Sequence, residues 1–260
     1  MRIEDLDRER CRDEFADEQL RVLDDFGFEW DGIVDFQSRR TDFYVAALAG
    51  LRRDGRSYAC RCTRAALAAQ VTDPASEPVY PGTCRDDPDA GKGAHALRFR
   101  IAAGEPALHF EDALQGAVSQ DCRQEAGDFV IRRRDGHVAY HLAVVVDDEL
   151  QGVNEVVRGA DLLSSTPRQI LLQRSLGYRT PRYAHLPLLT EPDGRKLAKS
   201  RRSVPLDPER AATQLWEVLN WLQQQPPAGL ERAGTRELWN WALANWRPAR
   251  IAGRRDLRLP

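Results

Sequence analysis

The chain has 260 residues, of which 42% are hydrophobic and 30% charged, and its formal net charge is −2. That composition belongs to a protein able to bury a real core, and the near-neutral balance excludes a global basic field, so any polyanionic partner must meet a local patch. No apolar run is long enough to span a bilayer, and the charged opening from Arg2 to Asp7 has no segment resembling a signal peptide; the chain is expected in the cytoplasm, with no membrane partner.

Between Asp7 and Phe26, the residues Phe15, Leu20, Leu23 and Phe26 recur at helical spacing among charges, and Gly27 reads as the stop. A second helix is expected with Thr41 as its cap and Tyr44, Leu48 and Leu51 on one face, before Asp54-Gly55 turns the chain into a short strand at 57–59. From there to about Ala126, cysteines, prolines and glycines interrupt strand-like runs at 96–101 and 107–110, which marks an inserted subdomain. Strands are expected at 129–131 and at 142–146, the second fully apolar, as in a buried parallel sheet. Ser165 or Thr166 then caps a helix with Pro167 at its first position, Ile170, Leu171 and Leu176 on one face and Gly177 as its stop, and a strand at 185–189 follows. Together these describe an α/β sheet whose ligand-binding loops lie at the carboxyl ends of its strands. After Ser200 come helices carrying Trp216, Trp221, Trp239, Trp241 and Trp246, an aromatic stripe read as core, with Pro226-Pro227 between two of them.

Five cysteines (Cys11, Cys60, Cys62, Cys84 and Cys122) do not suggest a disulfide framework in a cytosolic chain, and the clustering of three between 60 and 84 points to a metal. Three thiolates with one further ligand is a common closed zinc site. No histidine lies between 62 and 84, which leaves Tyr80 or a carboxylate such as Asp73 or Glu77 as the fourth ligand; the competing reading is three small buried hydrophobes.

Only three of the 38 basic residues are lysines, and two of them, Lys196 and Lys199, stand three apart after the turn Pro192-Asp193-Gly194. In a chain that otherwise uses Arg, a retained ammonium suits contact with a phosphate as a point charge, against the alternative of a solvated charge run. Tyr140 and Arg158, the latter able to clamp a carboxylate through two parallel hydrogen bonds, flank the apolar run, and Gly159 is read as granting the backbone an unusual conformation. Taken with Lys199, they suggest one pocket for an anionic small molecule and a nucleotide phosphate.

Arg2-Ile3-Glu4-Asp5-Leu6-Asp7, Trp30-Asp31, Gln37-Ser38, the 140–148 segment, the 157–163 segment, His185-Leu186-Pro187-Leu188 and the 196–200 loop resemble, in that order, the catalytic domain of class I glutamyl-tRNA synthetases. The Cys60, Cys62, Tyr80 and Cys84 pattern and the short stretch after the lysine loop resemble more specifically the glutamyl-queuosine tRNA(Asp) synthetases. The resemblance implies a Rossmann-like catalytic domain in two halves, 1–58 and 128–200, with an inserted zinc-containing subdomain at 59–127 and a short helical segment at 201–260. It implies activation of L-glutamate by ATP, with Mg2+, and passage of the glutamyl group to the queuosine base of tRNA(Asp), by a monomer. Lys199, the catalytic lysine, and Lys196 would contact ATP, Glu4 would hold the amino group of glutamate, and Tyr140 and Arg158 its polar and carboxylate groups. Cys60, Cys62, Tyr80 and Cys84 would ligate Zn2+.

The chain departs from the family at its start. The family's opening strand and the Gly-containing loop with a His-x-Gly-His-like element do not appear, and none of His95, His109, His137, His141 and His185 forms one. Two explanations compete, a start codon assigned too far downstream and a real N-terminally shortened protein; the first is the expectation, and with it poor stability and no adenylate formation by the 260 residues as written. The alternative functions are the catalytic remnant of a glutamyl-tRNA synthetase and a non-catalytic zinc-containing tRNA-binding protein.

Overall fold

The computed structural model describes residues 1–7, 11–68, 79–191 and 206–259. In chain order the main elements are β1 (Arg2–Ile3), α1 (Asp13–Asp25), β2 (Asp35–Phe36), α2 (Thr41–Arg53), β3 (Ser57–Cys60), α3 (Arg64–Ala68), β4 (Ala96–Phe99), β5 (Leu108–Asp112) and β6 (Gly116–Gln120). They continue with α4 (Cys122–Glu125), β7 (Val130–Arg132), α5 (Tyr140–Leu150), β8 (Glu155–Gly159), α6 (Thr166–Leu176), β9 (Arg182–Leu186), β10 (Leu188–Thr190), α7 (Ala211–Trp221), α8 (Thr235–Asn245) and β11 (Asp256–Arg258).

The largest sheet has the order β6-β5-β9-β8. Its β8–β9 pairing is parallel, with Arg158 opposite His185, and β5 joins β9 in parallel through Asp112 and Tyr183. Strands β3, β4 and β7 form an antiparallel sheet, and β1 pairs in parallel with β2. Among the described residues, the outer edges of β8 and β1 carry no partner strand. The chain finally returns to lay β11 parallel to β10, immediately before the 192–205 stretch.

The main core packs α2, α5 and α6 against these sheets through Tyr44, Leu51, Phe99, Ile131, Leu142, Ile170 and Leu172. Here one expectation is corrected. The apolar run 142–146 is not a strand but the middle of α5, whose residues Leu142 to Asp147 are all buried. A helix enclosed on every side has no polar face, so its sequence shows no 3.6-residue alternation and is indistinguishable from a central strand by pattern. Asp147 resolves the ambiguity in three dimensions, because its carboxylate accepts bonds from Gln37 Nε2 (2.8 Å), Arg40 Nε (2.7 Å) and Tyr44 Oη (2.7 Å) and so ties α5 to α2 and the segment before it. Thr41 is the first residue of α2 rather than its cap, a place taken by Arg40 without a side-chain bond.

Other elements follow the sequence more closely. In α6, Pro167 stands in the first turn and Gly177 closes the helix with φ 73°, in the left-handed region. The expected strand at 185–189 is divided between β9 and β10. A second core joins Phe26 to Leu215, Leu219, Leu238 and Ala242 of α7 and α8, with Trp216, Trp239 and Trp241 packed on it, so this part of the aromatic stripe is core as expected. Trp239 also donates its indole N–H to the Phe26 carbonyl at 2.8 Å. Trp246 is exposed.

Candidate active site and cysteine cluster

At the carboxyl edge of the sheet, three adjacent strands each contribute one polar side chain. Arg158 from β8 donates its Nε–H to His185 Nε2 on β9 at 3.1 Å, and His185 Nδ1 meets Asp112 Oδ2 on β5 at 2.5 Å. Asp112 also accepts the backbone N–H groups of Leu114, Gln115 and His185 through its other oxygen. Burial disfavours the Asp112 charge, but these donors outweigh it and hold its pKa below the ordinary carboxylate value. For His185, burial outweighs the pull of Asp112 and lowers the pKa, keeping the ring neutral. Arg158 Nη2 further donates to Thr166 Oγ1 at 2.8 Å.

Glu4 follows β1 and is held by Arg2, whose Nη2 lies 3.1 Å from its carboxylate while Nη1 lies 2.7 Å from Asp148 Oδ1 on α5. Glu4 and Tyr140, the first residue of α5, line one cavity of about 900 Å³ that is also lined by His141, Arg98 and Cys62 and so extends to the cysteine cluster. Burial raises the Tyr140 pKa, opposed by the nearby Arg158 charge. The structure thus brings Glu4, Tyr140 and Arg158 to one region. Arg158 belongs to a strand, not to the loop expected around it. Gly159 is corrected too: its φ of −70° is available to any residue. What it supplies is space, since a Cβ there would meet Asp161 Oδ1 at 2.6 Å. Lys196, Lys199, Asp73 and Glu77 lie outside the described residues.

The cysteine cluster is built where β3 runs into the segment before α3. The sulfur atoms of Cys60, Cys62 and Cys84 all lie within 4.8 Å of one another, with Cys62 and Cys84 3.6 Å apart. Tyr80 Oη lies 3.4 Å from Cys60 Sγ and 3.8 Å from Cys62 Sγ, and accepts the Cys84 backbone N–H at 2.8 Å. For a tetrahedral zinc with Zn–S of about 2.3 Å and Zn–O of about 2.0 Å, sulfur ligands stand roughly 3.8 Å apart and an oxygen roughly 3.5 Å from each sulfur. The three sulfurs and one phenol therefore fit the group. Burial opposes the Cys84 thiolate, yet the Arg61 backbone N–H, Tyr80 and the neighbouring thiols bring it down to about 7, whereas burial and then Cys60 push the Tyr80 phenol up. Gly127 makes the enclosure possible: a Cβ there would meet the Tyr80 backbone N at 2.8 Å, where the two residues form a bridge.

The sequence reading gave no site role to Asp112 or His185, and to Thr166 only that of a helix cap; nor did it mark Arg98, whose Nε lies 3.2 Å from Cys60 Sγ and whose guanidinium lies 3.7 Å from the Tyr80 ring centre. His185 appeared in it only as a landmark. For Asp112 no local signal existed, because its partner is 73 positions away.

Residues 1–222 match the family model for the catalytic domain of class I tRNA synthetases of the E and Q type. The chain belongs to that family. The synthetase domain is 50% identical over 248 residues to a glutamyl-Q tRNA(Asp) synthetase of Dechloromonas aromatica, covering 95% of this chain and 82% of that protein. It is 49% identical over 251 residues to one of Chromobacterium violaceum, covering 96% and 83%. Its class I α/β fold is shared with a glutamate-tRNA synthetase from Elizabethkingia anophelis, at TM-score 0.76 and 20% identity over all of this chain; the synthetase domain spans 60% of that longer chain. Among the described residues, no helix is long and apolar enough to cross a membrane.

Proposed function

We propose that this chain uses ATP to activate glutamate and transfers the glutamyl group to the queuosine base of tRNA(Asp). The observation that carries this reading is its identity of about half, over nearly its whole length, to proteins named glutamyl-Q tRNA(Asp) synthetase. The chemistry has two balanced steps. A glutamate carboxylate oxygen bonds to the α-phosphorus of ATP as the bond to pyrophosphate breaks, and a nucleophile of the queuosine base then bonds to the acyl carbon as AMP leaves.

Such a site works by holding anionic reactants in line and compensating charge as it develops on phosphorus. In this reading Glu4 pairs with the ammonium of glutamate, Arg158 clamps a carboxylate, and the Tyr140 phenol, kept protonated by burial, donates to substrate oxygen. Lys196 and the catalytic Lys199 contact the ATP phosphates, accompanied by Mg2+. Cys60, Cys62, Tyr80 and Cys84 would hold zinc, which supplies a structural cross-link rather than reactive chemistry. Arg98 offsets part of the anionic charge of those ligands. The division at 58, 127 and 200 is carried as part of the same reading, with the 59–127 insertion and the 201–260 segment offering surfaces to the tRNA of a monomeric enzyme.

The test is ATP-dependent transfer of labelled glutamate to queuosine-containing tRNA(Asp), to the same tRNA without queuosine, and to tRNA(Glu). It is run on the 260 residues and on a form extended by the upstream codons in frame. Transfer to the first tRNA alone supports the proposal. Charging of tRNA(Glu) would make this a glutamyl-tRNA synthetase, and salt-sensitive tRNA binding without any transfer would make it a binding protein.

A further inference from the structure

Among the described residues, the half-buried guanidinium of Arg158 is oriented not by an acid but by an imidazole. Its Nε–H can only donate, so the atom facing it, His185 Nε2 at 3.1 Å, must carry a lone pair. The ring proton is then on Nδ1, directed at Asp112 Oδ2 at 2.5 Å. Both Asp112 and His185 side chains are fully buried, so water cannot substitute for either partner. Asp112 is itself fixed by three backbone N–H groups on its other oxygen. The chain of contacts therefore has a direction: backbone sets carboxylate, carboxylate sets tautomer, tautomer sets guanidinium. Nε is held by His185, Nη2 by Thr166 and the Leu162 carbonyl, and the guanidinium also bonds the Tyr140 side chain, so its plane is fixed beside the group read as a substrate contact.

We propose that Asp112 and His185 are a positioning pair that locks His185 as its Nδ1–H tautomer and thereby fixes the plane of Arg158 for the substrate carboxylate. Neither residue touches substrate in this scheme. The proposal rests on the reading of Arg158 as the carboxylate clamp.

The variant that isolates the effect is Asp112→Asn. The asparagine oxygen keeps the three backbone bonds, while its amide replaces Oδ2 and donates to His185 Nδ1. The ring proton then moves to Nε2, where it opposes the Arg158 N–H, a tautomer inversion of the kind known to disable a catalytic histidine with its geometry intact. In calorimetric titrations, Asp112→Asn is expected to weaken glutamate binding at least 10-fold and to leave ATP binding within twofold, with the thermal midpoint as a check on folding. Nitrogen-15 NMR of the histidine rings, recorded on the unmodified protein, needs no variant at all. It should show His185 neutral and protonated at Nδ1, and Asp112→Asn should shift the proton to Nε2.

An Nε2–H or doubly protonated His185 in the unmodified protein overturns the proposal. So does unchanged glutamate affinity in Asp112→Asn when Arg158→Ala weakens it 10-fold or more. If Arg158→Ala itself leaves glutamate binding intact, the clamp reading fails and the proposal with it, while the NMR result still reports whether the pair sets the tautomer.

Discussion

The cysteine cluster and the carboxyl edge of the sheet each assemble a few polar side chains around a small volume, but from opposite distances along the chain. The cluster draws its groups from positions 60 to 84 and needs one loop to close. The sheet edge draws Glu4, Asp112, Tyr140, Arg158 and His185 from five elements or their flanks, and exists only when the parallel sheet and α5 are in place. Closing one short loop costs little chain entropy, whereas the second site inherits the whole cost of folding. The two should therefore fail separately when attacked locally, and together when the shared core is attacked.

The largest effect is expected from Cys84→Ala. It should abolish stoichiometric zinc in the purified protein, measured by metal analysis, and lower stability by more than about 3 kcal/mol. Glutamate affinity, in whatever fraction stays folded, should remain within about threefold. A full loss would show that the regions are not independent. Leu142→Ala, in the enclosed helix, should cost about 3 kcal/mol in chemical denaturation and weaken both sites at once.

Acid offers a comparable perturbation of the sheet side. Burial, followed by the charges of Arg168 and Arg158, lowers the His141 pKa from 6.5 to about 4. Between those values the unfolded chain binds the proton and the folded one does not. Stability is therefore complete above pH ~6.5 and falls as the pH drops towards ~4, by up to about 3 kcal/mol. Denaturation midpoints at pH 7 and 4.5 should show the loss, and His141→Phe should flatten it. Smallest is Tyr80→Phe, which leaves three thiols: zinc should still bind, about 10-fold more weakly in chelator competition.

These distances also explain what was legible. The clustering of Cys60, Cys62 and Cys84 could be read because the three are close in sequence and chemically distinctive. The helix ending at Gly177 was legible through its punctuation, and Trp216, Trp239 and Trp241 as core through their aromatic character. The 142–146 run was misread because complete burial removes the pattern that separates helix from strand, leaving Asp147 and its three partners to identify the element.

By itself the sequence determined the class of the protein, the order of its motifs and the identities of the groups able to carry charge. These are properties of residue type and spacing, which need no third dimension. Only the tertiary structure decided that Arg158 faces a neutral imidazole rather than an acid and that Gly159 is there for space rather than for an unusual φ. It alone brought the otherwise unmarked Asp112 to the site. Each of those depends on which atoms approach within about 3 Å once the chain is folded, and for Arg158, His185 and Asp112 that proximity is set by which strands, distant in sequence, lie side by side.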